Sequence, residues 1–300
     1  MTYKAKWATI SLAVYSIKEA SFRKLDIRYP SHPDDAKRYD TAELRRQYLI
    51  EKVFEADEAL LTYSHFDRII AGGVMPVNKA VALTGGKELA SEYFLERREL
   101  GIINIGGAGK VIADEDEYDM AERDGLYLGM GIKKVEFVSC DPSNPAKFWI
   151  NSCPAHHTYP NKKINIADAA KRPLGTVEQC NKRVINQYIH PSVLKTCQLC
   201  MGLTELEPGS NWNSMPCHTH ERRMEVYTYF NIPEDNIVMH FMGTPRETRS
   251  IVMQNFDAVI SPSWSIHAGC GTSNYTFIWA MGGENQAFDD MDNLKPTDLR

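Results

Sequence analysis

From Leu60 onward the apolar residues of this chain come in short runs, many of them alternating with polar ones and punctuated by Gly, Asp, Asn or Pro. The first half carries them at Leu60–Tyr63, Arg68–Ile70, Ile102–Ile105, Lys110–Ala113, Gly125–Leu128, Val135–Val138 and Lys147–Asn151. The second half carries them at Gln198–Leu206, Met224–Phe230, Ile237–Met242, Ser250–Met253, Ala258–Ile260 and Tyr275–Met281. Such spacing predicts the strands of sandwiches or barrels. Between the two sets, Cys153 to about Leu194 mixes Pro, Lys and Asn, and reads as a connector. Upstream, AELRRQYLIEKVFEADE (Ala42–Glu58) is the clearest helical pattern, with Leu44, Tyr48 and Val53 or Phe54 near helical spacing. The chain is therefore expected to be dominated by β-structure, in two halves with a few peripheral helices. No sequence repeat relates the halves.

Composition narrows the classes. At 300 residues, with 43% hydrophobic and 24% charged positions, the chain can bury a sizeable core. A formal net charge of −5 argues against a nucleic-acid partner, and no apolar run is long enough to span a bilayer. Lys4 and Lys6 before WATISLAVYSI (Trp7–Ile17) loosely imitate a secretory leader, but Lys18 and Glu19 follow at once without a small-residue cleavage site. An extension or an upstream start is the expectation, in a cytoplasmic protein. The seven cysteines are scattered, and CQLC (Cys197–Cys200) lacks the second pair a structural zinc site needs. Reduced thiols fit better.

Two stretches invite a chemical reading. IGGAGKV (Ile105–Val111) suggests a phosphate loop and fails, because Asn104 stands where the first Gly is required and Val111 follows the Lys. CHTHERRME (Cys217–Glu225) survives. Residues two apart in a strand face the same way, so His218 and His220 would aim into one cavity. Glu225 rejoins them if ERRM turns the chain and EVYTYF opens the next strand. The alternative is a polar hairpin with two surface histidines. SPSWSIHAGCGTSNYTFIWAM (Ser261–Met281) adds His267, five residues after Pro262 and just ahead of an apolar strand. Three histidines and a carboxylate suit Zn²⁺, Fe²⁺, Mn²⁺, Co²⁺ or Ni²⁺.

The H-x-H-x4-E stretch followed by P-x4-H resembles the two metal motifs of the cupins, with His218, His220, Glu225 and His267 as ligands. Trp212 and Trp264 replace the usual glycines, and the trailing asparagine is displaced to Asn274. MPCHTHERRMEVY, ISPSWSIHAGCGTSNYTFIWAM, EYFLERRELGIINIGG, NPAKFWI and GENQAFDDMD resemble a closer family, the bacterial 5-keto-4-deoxyuronate isomerases, from about Tyr39 almost to the C-terminus. That resemblance implies a bicupin of two double-stranded β-helix (jelly-roll) domains. Residues 1–38 would be an extension, 39–180 a metal-free N-terminal jelly roll, and 181–300 the metal-binding cupin. It further implies one Zn²⁺ per subunit, a homo-hexamer and a small deoxy-keto-uronate substrate from pectin breakdown.

The implied reaction is an aldose–ketose interconversion, with the metal as Lewis acid. The general base is left open among Glu96, Glu99, His240 and a hydroxide on the ion. Arg222 and Arg223, or Arg97 and Arg98, could meet the substrate carboxylate. His156 and His157 read as connector residues, and Tyr227, Tyr229, Tyr275 and Trp279 as core or cavity lining. Another metal-dependent cupin, either a different sugar isomerase or an Fe²⁺ dioxygenase, and a non-catalytic sugar-binding cupin are the competing readings.

Overall fold

The computed structural model describes residues 25–284 and 290–300, so Trp7–Ile17 and part of GENQAF lie outside the described residues. In the N-terminal half a seven-stranded sheet runs, in spatial order, Asp26–Arg28, Glu58–Ser64, Ile70–Met75, Phe148–Pro154, Arg98–Asn104, Gly125–Leu128 and Lys162–Ile164. It packs on a four-stranded sheet of Val81–Leu83, Val135–Ser139, Gly109–Ala113 and Asp116–Met120. The C-terminal half repeats the design. Its large sheet is ordered Ala170–Leu174, Arg183–Ile189, Cys200–Leu206, Thr276–Gly283, Arg223–Phe230, Ala258–Ser261 and Leu49–Ile50. Its small sheet is Trp212–Asn213, Ala268–Gly271, Val238–Thr244 and Glu247–Met253. Each half is a double-sheet jelly roll, as expected of a bicupin.

The two large sheets pack against each other through a shared apolar layer that includes Ile103, Trp149, Tyr188, Met201, Val226 and Ile278. Strand alternation explains how. In Thr276–Gly283, Ile278 and Ala280 enter this layer, whereas Phe277, Trp279 and Met281 fill the C-terminal barrel. In Arg223–Phe230, Met224 and Val226 face the layer, and Tyr227 and Tyr229 face the barrel. With both faces buried, these strands read as nearly continuous apolar runs. The sheets approach closely at Gly101, where a Cβ would sit 2.5 Å from Ile189 Cδ1.

Three sequence expectations are corrected. The helix expected over Ala42–Glu58 spans only Thr41–Tyr48, capped by Asp40, whose carboxylate accepts the Glu43 N–H at 2.8 Å. It stops because Leu49 is extended and pairs with Val259, placing Leu49–Ile50 at the edge of the C-terminal sheet. Val53 is buried as coil in the layer between the halves. The connector, in turn, is not irregular throughout. It supplies Ala170–Leu174 and Arg183–Ile189, two neighbouring strands of the C-terminal sheet, so residues 41–50 and 170–174 pack with the half the sequence did not give them to. Arg68 precedes its strand, in a turn with φ +54°.

Glu99 fastens the halves together. Its fully buried carboxylate accepts backbone N–H groups of Cys197 (2.8 Å), Gln198 (2.7 Å) and Leu199 (2.8 Å) and the Tyr127 hydroxyl (2.8 Å). These bonds hold Cys197–Leu199 as the loop that leads into the strand Cys200–Leu206. Glu99→Ala strands the buried Leu199 N–H and Tyr127 hydroxyl and two half-buried N–H donors, and is expected to cost about 3 kcal/mol in urea unfolding.

Candidate metal centre

Four side chains from separate elements converge inside the C-terminal barrel. His218 sits on the two-residue strand His218–Thr219, and His220 follows it directly. The turn is Glu221–Arg222, shorter than the expected ERRM, and Arg223 and Met224 already belong to the next strand. Glu225 comes from the large sheet, opposite Met281 and Ser261. His267 immediately precedes Ala268–Gly271 of the small sheet. One ligand atom from each of these four residues lies within 4.8 Å of the others. His218 Nε2 is 2.9 Å from His267 Nε2, and His220 Nε2 is 2.9 Å from Glu225 Oε1. His267 Nε2 is 3.8 Å from the same oxygen.

The backbone fixes which nitrogen of the His220 and His267 rings faces inward. His220 Nδ1 donates to the Arg223 carbonyl at 3.0 Å, and His267 Nδ1 points at the Ser265 carbonyl at 3.4 Å. With the protons held there, the Nε2 lone pairs face one another across the site. Burial, with His267 next, pushes the His218 pKa down to about 2, and burial lowers His267 to about 4 against the pull of Glu225. Burial disfavours the Glu225 anion, but His267, His220 and Arg223 outweigh it and hold the carboxyl below its usual range. Two neutral imidazoles and an anion turned toward one point repel unless a cation sits between them. The donor set fits a divalent transition metal.

The other candidates separate cleanly. Glu96 is tied in the N-terminal half, where it accepts the Glu92 N–H at 2.6 Å. Arg98 is buried between strands, bonded to Ser152 and to the Arg68 carbonyl, and Arg97 reaches the Ala90 carbonyl. Arg222 is exposed and paired with Glu284 at 2.7 Å. Arg223 is buried beside the ligands and paired with Asp290 at 2.8 Å. His156 and His157 lie outside the converging group. His240 is fully buried in the barrel, with Nδ1 2.8 Å from the Tyr229 hydroxyl and its ring 5.9 Å from that of Tyr227, which in turn lies 5.6 Å from His267. Burial lowers its pKa to about 3, so the ring is neutral.

Sequence reasoning missed Arg183. It shares the inward face of its strand with Ile185, and its buried Nε has no partner among the described residues. Burial lowers its pKa, against the nearby Tyr227 and Tyr275. The missed signal is the alternation Arg183, Ile185, Gln187 inside a segment read as connector. The N-terminal barrel offers a contrast, since its interior is filled by Ile70, Leu100, Val111, Phe137 and other apolar side chains. A groove of about 1250 Å³ beside Leu49, Leu60 and Val81 includes none of the four converging residues. The converging ligand atoms, and not that groove, mark the site.

Fold and site together define a two-barrel cupin that can hold a metal in its second barrel. The model of the KduI/IolB family matches residues 48–295, and the chain belongs to that family. A Yersinia pestis protein named 4-deoxy-L-threo-5-hexosulose-uronate ketol-isomerase is 58% identical over 278 residues, covering 92% of this chain and all of that protein. Among solved structures, an IolB-like protein from Salmonella typhimurium superposes with TM-score 0.67 at 14% identity, covering 82% of this chain and 96% of that one. Bacillus subtilis oxalate decarboxylase gives TM-score 0.51 at 12% identity, covering 75% and 71%. The last two speak to the fold alone.

Proposed function

We propose that this chain is the aldose–ketose isomerase that converts 5-dehydro-4-deoxy-D-glucuronate to 3-deoxy-D-glycero-2,5-hexodiulosonate. The observation that carries the reading is the convergence of His218, His220, Glu225 and His267 within 4.8 Å inside one barrel, alongside the name borne by the full-length Yersinia relative. When bound, a divalent ion (Zn²⁺ in this proposal) supplies a Lewis acid that stabilises charge on the aldehyde oxygen and so makes the adjacent C–H acidic. The four ligands position that charge, and the neutral His218 and His267 and the anionic Glu225 keep the site ready for it.

The remaining work falls to other residues of the barrel. Counting from the aldehyde carbon, a proton leaves C2 and returns to C1 while the hydroxyl proton on O2 passes to O1, with no net redox change. His240, neutral and facing the barrel interior, is the group assigned to move it. The substrate carboxylate needs a cation, and two arginines lie on the barrel side. Arg223 is already paired with the Asp290 carboxylate, whereas Arg183 has no ion pair among the described residues: its Nη1 donates to the Asn181 carbonyl at 2.7 Å and its buried Nε is left over. Arg183 therefore anchors the carboxylate. Arg183→Gln is expected to raise KM about 10- to 100-fold with a smaller change in kcat, read from initial rates. A homo-hexamer with one ion per subunit completes the proposal.

The test is an isomerase assay on the deoxyuronate formed after lyase cleavage of pectin. Product should form with metal, stop after chelation, and resume when Zn²⁺ is restored. Absence of product from fully metal-loaded protein would remove the reading.

A further inference from the structure

We propose that the C-terminal tail is part of the metal site, and that Asp290, Asn293 and Leu294 are positioning residues for its histidines. The strand His218–Thr219 belongs to neither sheet of the barrel. Its partner is Asp292–Asn293, with His218 opposite Asn293 and Thr219 opposite Asp292. The Leu294 N–H continues the ladder, donating to the Cys217 carbonyl at 3.1 Å. Leu294 and Leu299 also pack on Cys217, Ile266 and Ala268, the chain neighbours of His218 and His267.

The third histidine is reached through Arg223. Asp290 lies 2.8 Å from that buried guanidinium, and the Arg223 carbonyl takes the Nδ1 proton of His220. The tail is moored at its far end, where the Arg300 N–H donates to the Pro245 carbonyl at 3.0 Å and the Arg300 carbonyl accepts the Thr248 N–H at 2.8 Å. Glu225, by contrast, is held by the barrel's own ladders on both sides. The tail thus touches the immediate surroundings of all three histidines and supplies the sheet partner of His218.

The physical consequence concerns ordering. A ligand on a loose segment must be fixed when the ion arrives, and fixing it costs conformational entropy. A ligand already held in a ladder avoids that cost, so the tail should raise metal affinity more than it raises the stability of the metal-free barrel. The inference rests on the metal reading of the four ligands and not on the proposed reaction.

The test measures metal affinity rather than turnover. Leu294→Pro removes the N–H that meets Cys217 while keeping the extended backbone, and Leu294→Ala keeps the bond but removes the packing. Co²⁺ affinity is read by chelator competition and by the visible absorption of the bound ion, and stability by unfolding of the metal-free protein. Loss of outer support to metal ligands typically costs about 10- to 100-fold in affinity. Leu294→Pro should fall in that range and Leu294→Ala should lose less. In both variants the metal-free protein should stay folded, and excess metal should refill the site. Unchanged Co²⁺ affinity in Leu294→Pro overturns the proposal. So does a loss of affinity no larger than the loss of metal-free stability, which would make the tail a general brace. Because no substrate is used, a failed isomerase assay leaves this result readable.

Discussion

His218→Ala is expected to lower isomerase turnover by about 10³-fold or more, because a Lewis acid supplies several kcal/mol of transition-state stabilisation. His218 is the informative choice among the four. It lies on a short strand outside both barrel sheets and is only partly buried, whereas His220, Glu225 and His267 are buried. Its removal should therefore spare the fold. Metal content by elemental analysis, initial rates and thermal unfolding of the metal-free protein separate the two effects. The expected result is depleted metal, collapsed turnover and a nearly unchanged melting curve. Undiminished turnover in rigorously metal-free protein would contradict the mechanism.

The second large effect is acid sensitivity of the metal-free protein. Inside the fold, burial lowers His267 to about 4, His240 to about 3 and His218 to about 2. In the unfolded chain each imidazole titrates near 6.5. Between those values the unfolded state holds more protons, so stability rises with pH and is lost as pH falls below about 6.5. Glu225, held below its usual range, adds a loss of the same sign at lower pH. At pH 5 each histidine can remove up to about 2 kcal/mol. Urea unfolding of chelator-treated protein at pH 7.5 and pH 5 should show the drop. Bound metal should shift it to lower pH, since protons must then displace the ion. A flat profile in the metal-free protein would rule out buried neutral imidazoles.

Period-two patterning marked most of the strands because a strand's side chains alternate between faces, and Gly125–Leu128 was placed residue for residue. The four converging side chains could be read because two motifs keep their ligands at fixed offsets within short segments. What could not be read depends on partners far away in the chain. Thr41–Tyr48 ends where it does because Val259 offers Leu49 a ladder, a fact absent from AELRRQYLIEK. Ala170–Leu174, with a proline and two charges, looks like linker, and it is a tolerable edge strand because it is largely exposed.

The acids and arginines illustrate the same limit. Glu99 and Arg98 have the right chemistry for a base and a carboxylate anchor, yet burial commits Glu99 to the Cys197–Leu199 backbone and Tyr127, and Arg98 to Ser152 and the Arg68 carbonyl within the N-terminal half. Arg183 has the wrong local context and an inward-facing place. Residue type proposed these roles, and only the partners could assign them.

The edge strand Leu49–Ile50 also shapes how the protein is made. A ribosome releases those residues long before it reaches Ala258–Ser261, the strand they lie beside. During synthesis this hydrophobic pair must wait without its ladder, and the second barrel closes only once Thr276–Gly283, a central strand of its large sheet, has been made. Expressing residues 181–300 by themselves would leave that sheet with an open flank, an invitation for neighbouring copies to add on.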